Sequence, residues 1–224
     1  MLDARLSLAL SMYEACDHGA DIGTDHALLP CAALLQGIAG HMYLCDVSEK
    51  ALQHARETVT RHHLTDRATL LCTDGLRGLP LGLDLISITG MGGITAGNIL
   101  RARPEAIQNA TLVLSAHREL PYLRQTLACL GFHLTREALA LSGGRYYIVM
   151  QCKPGAQPWS EEALQYGSLL FEERTPLLEG YLTHCIHFHE RAMAGAEKAG
   201  DDAALARLVP ARDFYCQKRK ELFP

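Results

Sequence analysis

From about residue 16 to residue 152, short apolar runs alternate with stretches of helical periodicity. That alternation predicts strand-helix-strand units around a largely parallel sheet. Strands are expected at 16–22, 41–46, 68–73, 83–89, 110–116, 132–141 and 145–152, with helices at 27–36, 49–62, 94–103 and 120–129. Only Ser142, Gly143 and Gly144 separate the last two strands, so these read as an antiparallel hairpin closing one edge of the sheet. Asp17 and His18 make the first strand more polar than a central strand should be.

The run Lys153-Pro154-Gly155-Ala156-Gln157-Pro158 breaks the pattern and reads as a linker, dividing the chain into domains 1–153 and 154–224. Beyond it the pattern is helical. One helix is expected over 161–173. Thr175-Pro176 should cap and open a second running to about Lys198, and Gly200-Asp201-Asp202 turns into a third, with a break or kink at Pro210. Leu178, Leu182, Cys185 and Ile186 recur close to helical spacing, and Leu205, Leu208, Phe214 and Leu222 can face them, so a small coiled-coil-like helical hairpin follows the α/β part. Trp159, Tyr166 and Phe171 are expected to dock this extension on the core.

Composition narrows the function classes. The 224 residues carry 21 Lys+Arg against 25 Asp+Glu, a formal net charge of −4, which argues against binding nucleic acid by bulk positive charge and leaves only local basic strips. From Gly155 onward eight basic residues face eleven acidic ones, so the helical part does not advertise phosphate binding. None of the eight cysteines falls into a Cys-x-x-Cys pair, so no zinc knuckle or dithiol motif is written here, and free thiols suit a reducing cytoplasm. No window approaches about 18 uninterrupted apolar residues, so neither a membrane span nor secretion is expected.

The chemistry gathers where strands end. Asp21-Ile22-Gly23-Thr24-Asp25-His26 stands at the first strand-to-helix turn, the place where doubly wound folds bind nucleotides. It lacks the Gly-x-Gly-x-x-Gly phosphate cradle, and its acidic residues suit a cationic or zwitterionic ligand instead. Asp46 ends the second strand, about twenty residues on, where an acid typically takes ribose hydroxyls. Asp74-Gly75 ends the third, placed to edge an adenine ring, and Thr89-Gly90-Met91-Gly92-Gly93 follows the fourth, where glycines let a planar ligand approach bare backbone. Each acid alone would read as a cap or turn residue; the set of three points to a nucleoside ligand.

These motifs, Asp21 through Pro30, Thr73-Asp74-Gly75-Leu76 and Gly90-Met91-Gly92-Gly93, resemble those of the bacterial tRNA adenine-22 N1-methyltransferases, the TrmK family. Arg5-Leu6 sits at that family's usual distance before Asp21, and Tyr166-Gly167 with the following helix is similar to its C-terminal extension. The resemblance implies a Rossmann-like class I methyltransferase sheet, S-adenosyl-L-methionine as cofactor, tRNA as substrate and a helical domain that helps to hold it. Arg5 would pair with the carboxylate of the cofactor's amino-acid head, Asp21 and Gly23 would border its methionine part, Asp46 the ribose, Asp74 and Gly75 the adenine, and Gly90 the sulfonium methyl. Asp25 and His26 are the candidate catalytic residues, placed to bond the target's amino group or take a proton. Where the family usually carries Gln-Pro after the fifth strand, this chain has Ser115-Ala116-His117-Arg118. A methyltransferase acting on another RNA or a small molecule, or a binding protein without turnover, remains an alternative. No metal is expected: His184, His187 and His189 read as surface or packing histidines, and His62-His63 as a favourable helix end. A monomer is favoured.

Overall fold

The computed structural model describes residues 2–155 and 157–224. The chain divides into two compact units after Glu173.

In the first unit, helix α1 (Ala4–Ser11) opens on Asp3, whose carboxylate accepts from Leu6 N at 2.7 Å. Seven strands follow: β1 (Cys16–Ile22), β2 (Ala39–Asp46), β3 (Ala68–Cys72), β4 (Leu85–Met91), β5 (Thr111–Ala116), β6 (Phe132–Ser142) and β7 (Arg145–Pro154). They form one sheet in the order β3-β2-β1-β4-β5-β7-β6. β1 to β5 run parallel; β7 pairs antiparallel with both β5 and β6, so the expected edge hairpin is present. Helices α2 (Leu28–Leu35), α3 (Glu49–Arg61), α4 (Gly93–Ala102) and α5 (Leu120–Cys129) make the crossovers. Both faces of the central strands are covered, which is why Leu85, Ile86, Ile88, Leu112, Val113 and Leu114 are all buried in nearly unbroken apolar runs. Ser87 is a wholly buried exception within that run. The polar start of β1 also has a physical reason: Asp17 and His18 are exposed, and their amides donate to Asp84 Oδ2 at 3.1 and 2.9 Å. The carboxyl ends of the parallel strands therefore share one edge, where ligands of open α/β sheets bind.

Several boundaries differ from the sequence reading. α1 was not expected. The helix expected over 161–173 is two, α6 (Glu161–Tyr166) and α7 (Leu169–Glu172), broken at Gly167 with φ +87°. Both belong with the sheet: Trp159 Nε1 donates to Phe132 O at 2.9 Å, and Leu170 N donates to Glu137 of β6. The compact units thus divide well after the composition break at 153/154, because β7 runs on through Pro154, α6 packs on α5 and α7 on β6.

The second unit is a helical hairpin. Thr175-Pro176 forms a turn before α8 (Leu178–Ala199) rather than its cap and first residue, with Leu178 N donating to Thr175 O. Gly200 closes α8 in the left-handed conformation, and Asp201 caps α9 (Asp202–Leu222) through Ala204 N at 2.9 Å. α9 continues through Pro210, which removes one N–H but does not end the helix. Tyr181 and Tyr215 meet edge-on, and Glu179 pairs with Arg219 at the open end of the hairpin. Among the described residues, no helix is long and apolar enough to cross a membrane.

Candidate active site

Two cavities open at the carboxyl edge of the sheet. One, of about 300 Å³, is lined by Arg5, Asp21, Gly23, Asp25, His26 and Gly90, among others. The second, of about 570 Å³, is lined by Gly23, Asp46, Asp74 and Gly75 with the apolar side chains of Ile22, Met91 and Ile99. Gly23 borders both, and the methyl end of Met91 lies against it so closely that a Cβ there would collide. Every residue singled out in the sequence for the site lines one cavity or the other.

The first cavity is built around a buried carboxylate. Asp21 stands opposite Ser87 in the β1–β4 register, and Ser87 Oγ donates to Asp21 Oδ1 at 2.5 Å. Burial raises the Asp21 pKa above its ordinary value; the Ser87 and Thr24 hydroxyls and the Arg5 charge oppose that rise, and Asp46 adds to it. Arg5 reaches the same cavity from α1, its guanidinium 5.5 Å from the Tyr147 ring centroid. Its Nη1 is buried and makes no hydrogen bond. Gly90, with φ +91°, passes beneath this nitrogen. The strand end thus takes a left-handed turn that a side chain would strain. The neighbouring thiols are poor nucleophiles: burial and the Asp21 charge push Cys31 up to about 11, and burial with the Asp21 and Asp46 charges pushes Cys45 up to about 12.

In the second cavity Asp46 accepts from Ser48 N at 2.8 Å, a turn that delivers Ser48 as the cap of α3. The loop that begins at Asp74 is tied down from α4's end, where Arg103 Nη1 donates to Leu76 O and Leu79 O at 2.8 and 2.7 Å. Acids at two strand ends with apolar walls between them suit a flat ring carrying polar edges and a hydroxylated sugar.

Asp25 and His26 lie together at the mouth, and the structure adds His54 from α3. The two Asp25 oxygens lie 3.5 Å from His26 Nε2 and from His54 Nδ1, without a hydrogen bond at the latter, and the two rings stack at 4.9 Å with 10° between their planes. One ligand atom from each of Asp25, His26 and His54 lies within 4.8 Å of the others, close enough to hold a metal ion, and with the rings stacked the arrangement as it stands is a carboxylate beside two imidazoles. His54, Ser87 and Tyr13 are the site residues that sequence reasoning missed. Ser87 carried a signal, a hydroxyl interrupting the run Leu85-Ile86-Ser87-Ile88. His54 and Tyr13 carried none that is local.

A family model described as a methyltransferase domain matches residues 2–150. The chain belongs to that family. A curated relative, the tRNA (adenine(22)-N(1))-methyltransferase of Bacillus subtilis (strain 168), is 29% identical over 138 residues, 61% of this chain and 58% of that protein. The matched part is thus little more than half of the relative's length. Among solved structures, the B. subtilis m1A22 tRNA methyltransferase TrmK superposes with a TM-score of 0.87 at 21% identity, covering 98% of this chain and 99% of that one. TrmK of M. capricolum, in complex with S-adenosyl-homocysteine, gives a TM-score of 0.82 at 22% identity, covering 96% and 98%. At such identities these structures speak for the fold, in the helical second unit as well as the methyltransferase domain.

Proposed function

We propose that this methyltransferase uses S-adenosyl-L-methionine to methylate N1 of an adenine in tRNA, adenine 22, in the cytoplasm. The observation that carries the cofactor reading is the buried Arg5 Nη1 without a partner, facing the same cavity as the buried Asp21 carboxylate. A zwitterionic amino-acid head answers both charges at once, and a buried guanidinium nitrogen left unpaired is costly enough to need such an answer. The second cavity, reached past Gly23, offers Asp46 for ribose hydroxyls and Asp74 with Gly75 for the adenine edge. The residues present therefore fit the cofactor. The substrate reading is supported by the motif resemblance and by the name of the B. subtilis relative.

When bound, the cofactor supplies a methyl group on a sulfonium, an electrophile that needs no further activation. The work left to the chain is positioning and charge. Adenine N1 presents its own lone pair, so no base is required to create the nucleophile, but in folded tRNA the base must be unpaired or extruded to expose that edge. The methylated ring gains a positive charge. Asp25, beside His26 and His54 at the mouth of the first cavity, would accept the adenine amino group's hydrogen bond and offset that charge.

The test is methyl transfer from labelled S-adenosyl-L-methionine to unmodified tRNA, followed by nucleoside digestion and mass spectrometry. 1-Methyladenosine should appear, and should vanish when adenine 22 is replaced by guanine. A folded, cofactor-binding protein that yields no methylated nucleoside overturns the substrate reading.

A further inference from the structure

Behind Asp21 lies a hydroxyl chain that no part of the proposed reaction uses directly. Tyr13, in the turn after α1, donates from its hydroxyl to Ser87 Oγ at 2.6 Å. Ser87 has one proton and two acceptors within reach, Asp21 Oδ1 at 2.5 Å and Ala20 O at 3.3 Å. All three side chains are buried: Tyr13 is 8%, Ser87 0% and Asp21 5% exposed. The hydroxyl rotor of a serine is free in principle, and a donor occupying one of its lone pairs restricts where its proton can point.

We propose that Tyr13 is a positioning residue for the cofactor's amino-acid head: by donating to Ser87 it directs the Ser87 proton to Asp21 rather than to the Ala20 carbonyl. One Asp21 oxygen is thereby held, and the carboxylate is kept charged for the ammonium group it faces. The inference rests on the reading that Asp21 receives that ammonium.

Charge considerations agree with the direction of the chain. The Ser87 bond lowers the pKa that burial raises at Asp21, so losing it lets the carboxyl protonate at higher pH. Tyr13 itself is held well above the usual phenol range, by burial first and then by the Asp21 charge, and so stays a donor at every working pH. The other groups acting on Asp21 are Arg5 from α1, Thr24 from the following loop, and Asp46 from β2. Cys31 of α2 and Cys45 of β2 sense its charge, but with thiols at about 11 and about 12 they stay neutral throughout. None of the substitutions touches Asp46, so a difference between variants reports the Tyr13-Ser87-Asp21 chain.

The experiment is calorimetric binding of S-adenosyl-homocysteine, which carries the same amino-acid head without the sulfonium, across the pH range on which the folded protein is stable. Tyr13→Phe removes one oxygen and should weaken binding by about threefold to tenfold at neutral pH, the scale of one hydrogen bond between neutral groups. It should also move the acid limb of the binding curve to higher pH. Ser87→Ala should do the same more strongly, and Tyr13→Phe added to Ser87→Ala should change nothing further, because Tyr13 acts through Ser87. If Asp21→Asn binds as tightly as wild type, the reading of Asp21 fails and the proposal with it. If Asp21→Asn binds weakly while Tyr13→Phe leaves affinity and acid limb unmoved, or weakens binding equally in the Ser87→Ala background, the proposal alone is overturned and Tyr13 is a packing residue.

Discussion

Two carboxylates are buried in the first unit, Asp21 on β1 and Glu137 on β6, and they are kept there by different means. Glu137 is paired with its own cation: Arg124 Nη2 lies 2.6 Å from one oxygen, both side chains are within 1% of full burial, and Leu170 N donates to the other oxygen. Arg124 Nη1 also reaches Gln165 O at 3.4 Å, so one ion pair joins α5, β6 and the segment around Gly167. Asp21 is held by the Ser87 hydroxyl instead, with Arg5 at the same cavity, and a buried unbonded guanidinium nitrogen is common to Arg5 and Arg124. A carboxylate whose charge is fully answered inside the chain serves the fold. One held by a neutral hydroxyl at the wall of a cavity is available to a ligand.

The sharpest way to break this contrast is to remove Glu137. Glu137→Ala leaves Arg124 buried without its counter-charge, and a loss of about 3–5 kcal/mol in denaturant-induced unfolding is expected. A smaller effect of the same kind should follow from Gly167→Ala. Its φ of +87° strains any side chain, and a Cβ would come within 2.5 Å of Glu137 Oε2 and 2.8 Å of Arg124 Nη2. Destabilisation on the order of 1–3 kcal/mol is expected, with the activity of the folded fraction unchanged because the pair lies outside both cavities.

Arg5→Leu addresses the other side. Arg5 is partly exposed and its buried Nη1 makes no hydrogen bond, so stability should change by no more than about 0.5 kcal/mol. The Michaelis constant for S-adenosyl-L-methionine should rise about tenfold or more, since a charge-assisted pair with the carboxylate is lost. A large stability loss with unchanged cofactor affinity would make Arg5 a second Arg124.

The two carboxylates were not equally legible. Asp21 sits at a strand end inside a recognisable motif, and the β1 and α5 boundaries and the antiparallel hairpin followed from period and turn chemistry alone. Glu137 lies mid-strand in Thr135-Arg136-Glu137-Ala138, where alternation reads it as one more polar residue, and its burial depends on Arg124 arriving from another element. The break at Gly167 was hidden for the same reason. A lone glycine in a helical pattern is tolerated locally, and what ends the helix there is the need to pass over the ion pair. His54 likewise joins Asp25 only through the packing of α3 beside the first loop. Short-range pattern locates strand ends and therefore the cavity edge; partners that come from distant segments are invisible to it.

The smallest effect is also the one whose sign separates the two carboxylates most cleanly. Asp21 binds its proton more tightly in the folded state than its ordinary value of 3.8 implies, with burial as the main cause. Its contribution to stability is therefore fully present below the unfolded value and is lost as pH rises through the raised folded one. Asparagine has the same shape and no charge at any pH. Asp21→Asn should accordingly be more stable than wild type at neutral pH, and the gain should shrink on acidification and disappear below the unfolded value, while cofactor binding is weakened throughout. Denaturant midpoints measured for both proteins across that pH series decide it. An Asp21→Asn protein less stable than wild type at neutral pH would place Asp21 beside Glu137 as a carboxylate that serves the fold, and the cost of its burial would no longer point to a ligand.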